Sequence, residues 1–195
     1  ADLRELANRT GGPEGSRRLA WTPDWLQARA FFRESLATLP VEVEEDEAGN
    51  LWATLRGERP ETLVVGSHLD SVPKGGWLDG ALGVMAGLEL IRSLASEGTP
   101  PCSVALVDWA DEEGARFNTP TFGSRALVGR LDAAEALTRR DDDGVALADA
   151  MAAHDIAYHQ HDAPTISEPG GHVTVAIEPT NEEWVAARAA HDVQS

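Results

Sequence analysis

Two short segments, about forty residues apart, hold most of the side chains in this sequence that could do chemistry. One runs Gly66-Ser67-His68-Leu69-Asp70 and on to Gly76-Trp77-Leu78-Asp79-Gly80; the other is Asp108-Trp109-Ala110-Asp111-Glu112-Glu113-Gly114. Each follows a short apolar run rich in β-branched residues. A histidine, several carboxylates and glycine-rich turns at strand exits are what a hydrolytic metal site needs. Taken singly, each has a plainer reading. His68 could be a hydrogen-bonded structural residue, Asp79 a helix N-cap, and Glu112-Glu113 part of an acidic loop. Together they divide the work. In His-x-Asp, Asp70 can reach back to the imidazole of His68 and fix its tautomer. An aspartate at a helix start can bridge two cations. Of adjacent glutamates, one can ligate while the other moves a proton.

The elements that must position these residues are readable from periodicity. Thr22-Pro23-Asp24 looks like a helix start, followed by Trp25, Ala28, Phe32, Leu36 and Leu39 at helical spacing, with Pro40 as the stop. Residues 41–44 and 50–55 alternate as a hairpin or an edge meander about Ala48-Gly49-Asn50. Thr62 to Val65 reads as a strand covered on both faces, Asp79 to Ala95 as a helix, and Ser103 to Val107 as a second buried strand. This strand–helix–strand order predicts a parallel βαβ unit that delivers His68, Asp70, Asp79, Glu112 and Glu113 to one sheet edge. Short helices are expected over 125–128, 132–139 and 145–153, a polar loop over 154–171, a strand over 172–177 and a helix over 182–191. The loop histidines His154, His159 and His161 read as solvated.

At 195 residues the chain suits one domain, and its formal net charge of −17 argues against nucleic acid or an anionic membrane as partner. No apolar stretch is long enough to span a bilayer. The single cysteine, Cys102, lies in an apolar run, reads as a buried thiol and fits a reducing compartment, so a cytoplasmic location is expected. The chain begins at Ala1 without a basic-then-apolar signal segment.

Gly66-Ser67-His68-Leu69-Asp70-Ser71-Val72-Pro73 with Gly75-Gly76-x-x-Asp79-Gly80-Ala81-Leu82-Gly83-Val84 closely resembles the dinuclear-metal amidohydrolases that cleave N-carbamoyl amino acids, allantoate and β-ureidopropionate. Asp111-Glu112-Glu113-Gly114-x-Arg116-Phe117 and Gly123-Ser124-x-Ala126-x-x-Gly129 resemble that family's second block. The resemblance covers residues 1–153, the first part of the catalytic domain; 154–195 reads as a diverged tail. It implies an α/β fold with a mixed, centrally parallel sheet flanked by helices, of the zinc-exopeptidase kind but incomplete. It also implies two divalent metal ions (zinc, or manganese, cobalt or nickel), a small ureido or amide substrate and a homodimer. By the same resemblance His68 would be a terminal metal ligand and Asp79 the bridging carboxylate. Glu113 would be a ligand of the second ion, Glu112 the general base and Asp70 the orienter of His68.

The sequence departs from the family in its third block. Val173 to Pro179 puts Ala176 where the family has a metal-binding histidine, and His172 lies four residues back, about 13 Å away along an extended strand. The family's dimerising domain and its last metal histidine also have no counterpart. The sequence therefore leaves open a metal-dependent C–N hydrolase, a truncated or diverged relative without catalysis that binds at most one metal, and a module keeping His68, Asp79 and Glu113 for a structural ion.

Overall fold

A computed structural model of the chain describes residues 2–156. It opens with α1 (Asp2–Thr10), which the sequence does not announce: only Leu3 and Leu6 offer it an apolar face. So short a helix is marginal by itself. Tertiary contacts hold it, with Leu6 fully buried, Arg9 reaching Glu34 at 2.8 Å and Asp2 accepting from Arg92 at 2.6 Å. A two-residue ribbon follows, β1 (Gly11–Gly12) against β2 (Gly15–Ser16). Then comes α2 (Pro23–Leu36), starting at the expected proline. Thr22 sits at its N-cap, yet its hydroxyl donates to the carbonyl of Leu19 at 2.5 Å and leaves the first turn uncapped.

β3 (Val41–Glu45) and β4 (Leu51–Leu55) form the expected antiparallel hairpin. Its turn is tied by Asp46, whose carboxylate accepts from the backbone of Ala48 and Asn50 at 3.0 and 2.9 Å. β5 (Thr62–Ser67), α3 (Ala81–Glu97) and β6 (Ser103–Asp108) make the βαβ unit, with β5 and β6 parallel. The sheet order is β3-β4-β6-β5, and β4 pairs antiparallel with β6, so the sheet is mixed. Leu51, Ala53 and Leu55 of β4 and Val104 and Leu106 of β6 pack under Ala28, Phe32 and Leu36 of α2 and Val84, Leu88 and Ile91 of α3. Each such large apolar side chain contributes roughly 1.5–3 kcal/mol on burial.

Two expectations about the βαβ unit need correcting. β5 is not covered on both faces: it is one of the two edge strands among the described residues, with Leu63 55% and Val64 37% exposed. An apolar run identifies a strand but not its neighbours. The helix starts two residues later than expected, because Gly80 takes φ +62° at its N-cap, and Asp79 caps through its carbonyl, accepting from the Ala81 amide at 2.6 Å. Cys102 is half-buried just outside β6.

After β6 the chain folds over a second apolar cluster built on Trp21, Trp25, Phe117, Phe122, Leu147 and Met151. Three short helices line it: α4 (Phe122–Leu127), α5 (Ala133–Ala136) and α6 (Leu147–Ala152). Asp132 caps α5, accepting from the Glu135 amide at 3.0 Å. His154 is not a solvated loop residue: its Nε2 lies 3.2 Å from the Trp21 carbonyl. The strand expected over 172–177 and the helix over 182–191 lie outside the described residues, as do His159, His161, His172 and Ala176.

Asn50 joins the hairpin to the segment after β6. Its Oδ1 accepts from the Ala110 amide at 3.0 Å and its Nδ2 donates to the Gly123 carbonyl at 3.1 Å. A Cβ at position 123 would lie 1.9 Å from that Oδ1. Gly123→Ala should therefore destabilise the chain by about 1–3 kcal/mol, read as a lower denaturation midpoint; an unchanged midpoint would show that the Asn50 link is dispensable.

Candidate active site at the strand exits

The ends of β5 and β6 run side by side, with the Trp109 amide donating to the Ser67 carbonyl at 2.8 Å. Beyond that point the two exit loops bind one another through carboxylates. Asp70, on the loop after β5, accepts from the amides of Glu112 and Glu113 at 3.2 and 3.0 Å. Asp108, at the end of β6, accepts from the Leu69 amide at 2.7 Å and from Arg29 Nε at 2.9 Å. Both carboxylates are buried, and each satisfies backbone donors of the opposite loop.

This cross-bracing sets the position of His68. Its Nδ1 lies 3.1 Å from the Asp70 carbonyl and 3.3 Å from Asp70 Oδ1, and its Nε2 faces Glu112 Oε2 at 3.7 Å. With Nδ1 held by Asp70, Nε2 is the nitrogen left to meet a ligand or a proton. The Asp79-Gly80 turn packs against the same ring, since a Cβ on Gly80 would lie 2.4 Å from His68 Cε1. Only glycine fits there, by its positive φ and by this approach. Asp79 itself is exposed, while Glu112 and Glu113 are half-buried.

The acids act on one another electrostatically. Burial raises the pKa of Glu113, and the Asp79 charge adds to the rise while His68 opposes it. Burial, then Asp70, lifts Asp111 to about 7, and burial lifts Asp108 to about 6 against the pull of Arg29. Burial lowers the pKa of His68, but the Asp70 hydrogen bond and the Asp70 and Glu112 charges outweigh it and hold the ring at about 9. Asp70 and Glu112 are thus each within ion-pair reach of His68, and the charge of Asp79 acts on Glu113. Among the described residues, no group of three His, Cys, Asp or Glu side chains is spaced to hold a metal ion. The donor chemistry, one imidazole nitrogen freed by a hydrogen bond on the other and carboxylates around it, suits a borderline divalent cation.

Sequence reasoning did not assign roles to Asp108, Arg29 or Arg18, and it read Asn50 only as a turn residue. Arg29 joins Asp108 and Glu45, each at 2.9 Å, and stacks over the Trp25 ring at 4.4 Å. Asp108 carried a weak signal, a carboxylate ending a fully apolar strand, which in a buried position demands a partner.

The raised pKa of His68 has a measurable consequence in metal-free protein. The folded-state value, about 9, lies above the ordinary 6.5, so the protonated ring contributes its full stabilisation below 6.5 and loses it as pH rises through about 9. The loss is on the order of 3 kcal/mol. Denaturation midpoints recorded in EDTA should fall from pH 7 to pH 10 and flatten in His68→Gln; parallel profiles would contradict this.

The comparisons with known proteins follow the same residues. Residues 50–188 match the model of peptidase family M28. The chain is 40% identical over 153 residues to an N-carbamoyl-L-amino acid amidohydrolase of Geobacillus stearothermophilus, covering 77% of this chain and 37% of that one. It is 37% identical over 142 residues to an allantoate amidohydrolase of Escherichia coli, covering 71% and 34%. The crystal structure of a hydantoinase/carbamoylase family amidase from Burkholderia ambifaria superposes with a TM-score of 0.75 at 36% identity, over 80% of this chain and 39% of that one. The chain thus spans little more than a third of the length of these relatives. The resemblance read from the two motif blocks is borne out, and the chain belongs to peptidase family M28, sharing its fold with the hydantoinase/carbamoylase amidases.

Proposed function

We propose that the chain is the first part of the catalytic domain of a metal-dependent hydrolase of non-peptide C–N bonds, acting on a small ureido or amide substrate. The observation that carries this reading is His68 seated between Asp70 on Nδ1 and Glu112 on Nε2, at the exits of adjacent parallel strands. Relatives named for N-carbamoyl amino acids and allantoate support the substrate class.

Each side chain then has a task. Asp70 holds the Nδ1 proton of His68 and directs Nε2 outward, while its own oxygens fix the 112–113 turn. His68, Asp79 and Glu113 are the residues that would hold divalent cations, zinc or a neighbour such as manganese or cobalt. Such cations, when bound, would supply Lewis acidity to the substrate carbonyl and acidify a water. Glu112, half-buried beside His68, takes the proton of the attacking water and hands it to the departing nitrogen. Burial, and after it the charge of Asp79, raises the pKa of Glu113, and a divalent cation would favour its ionised form. Two ions per site, a homodimer and a cytoplasmic setting complete the proposal. No helix of the described residues is long and apolar enough to cross a membrane.

The test is to measure bound metal per chain and hydrolysis of N-carbamoyl amino acids and allantoate with added zinc, manganese or cobalt. The proposal expects metal uptake that His68→Ala reduces. It also expects turnover that Glu112→Gln lowers by about 10²–10⁴ with metal uptake unchanged. Uptake indifferent to His68 would overturn the site. Equal loss of uptake and turnover in Glu112→Gln would make that residue a ligand and not the base.

A further inference from the structure

Arg18 is a fully buried cation with no carboxylate hydrogen-bonded to it. Its side chain is 0% exposed; its Nε donates to the Leu69 carbonyl at 2.6 Å, and its own carbonyl accepts from the Ser71 amide at 2.9 Å. Residue 18 therefore grips the chain on both sides of Asp70. Its neighbour Ser16 extends the grip along the loop leading to Asp79. Ser16 donates its amide to the Gly75 carbonyl at 2.9 Å, accepts from the Lys74 amide at 3.0 Å and accepts the Ser71 hydroxyl at 3.0 Å. Nη1 and Nη2 are buried and have no acceptor among the described residues.

A guanidinium so placed is costly, and an apolar side chain of similar volume would usually serve a core better. What surrounds it explains why a cation stands there. The charges acting on Arg18 are those of Asp70, then Asp79, then Asp108, which together oppose the lowering of its pKa by burial. These are the residue that orients His68, the proposed cation ligand at the helix start, and the brace at the end of β6.

We propose that Arg18 is a positioning residue of the site: it clamps the 69–71 turn from both sides, so that Asp70 can hold the 112–113 turn. For its catalytic consequence the inference rests on the proposed hydrolase reading; for the geometry it does not. Arg18 touches none of the amides of Glu112 and Glu113, so an effect on them must pass through Asp70.

The experiment compares the full chain with Arg18→Met and Arg18→Lys by amide hydrogen exchange and by Co²⁺ titration followed through its visible absorption. Arg18→Met should speed exchange at Glu112 and Glu113 by about tenfold or more while amides within β6 keep their protection. It should also weaken Co²⁺ binding by about tenfold or more, as loss of groups that orient metal ligands does. Arg18→Lys should recover part of both, since it restores charge but not the fork. Native exchange at 112 and 113 in folded Arg18→Met overturns the proposal, and so does a loss of protection spread evenly over the chain, which would make Arg18 an ordinary core residue. Should Arg18→Met fail to fold, Arg18→Lys decides: selective acceleration at 112 and 113 supports the clamp, and a native pattern with native Co²⁺ binding removes the fork from the account. A parent chain that binds no Co²⁺ sinks the hydrolase reading alone, because the exchange comparison still settles Arg18.

Discussion

A reciprocal pair of buried carboxylates holds this site together. Asp70 leaves the loop after β5 to accept the amides of Glu112 and Glu113, and Asp108 leaves the end of β6 to accept the amide of Leu69. Parallel strands deliver their exits to the same side of a sheet but do not fix the loops that follow. Each loop here is fixed by an acid from the other. Charge-assisted bonds to backbone donors are stronger than neutral ones, and burial makes their loss costly. The imidazole of His68 inherits its place from this brace.

The brace concentrates negative charge, and the rest of the fold is arranged around that consequence. Asp70, Asp108 and Asp111 are all buried, with Asp79, Glu112 and Glu113 nearby. Arg29 answers Asp108 from α2, with Glu45 on its other side, and Arg18 stands among Asp70, Asp79 and Asp108 without a hydrogen bond to any of them. His68 is held as an imidazolium by the same acids. A cluster of acids whose one imidazole is tethered at Nδ1 is chemically suited to a divalent metal. Relatives named as amidohydrolases fit this chemistry, though the chain spans little more than a third of their length.

The parts of this arrangement that were legible in the sequence are those with local signatures. Alternation exposed the β3–β4 hairpin, proline and helical spacing exposed α2, and the strand–helix–strand order exposed the parallel pair of β5 and β6. The motifs named His68, Asp70, Asp79, Glu112 and Glu113, and the structure brings the first two to Glu112. What escaped has no local mark. Arg18 finds Leu69 across 51 positions, and Asp108 finds it across 39. Nothing in a window of ten residues records such a bond. The helix α1 was missed because packing and ion pairs, more than its own pattern, hold it. β5 was misjudged because hydrophobicity says that a face wants cover, not whether the described chain provides it.

The most direct test is a crystal structure of the full chain grown with zinc. The account predicts an ion about 2.0–2.1 Å from His68 Nε2, joined by a carboxylate of Asp79 or Glu113, with Asp70 still bonded to the amides of Glu112 and Glu113. Zinc bound elsewhere, or a His68 ring that turns away from Asp70 to meet it, would contradict the account.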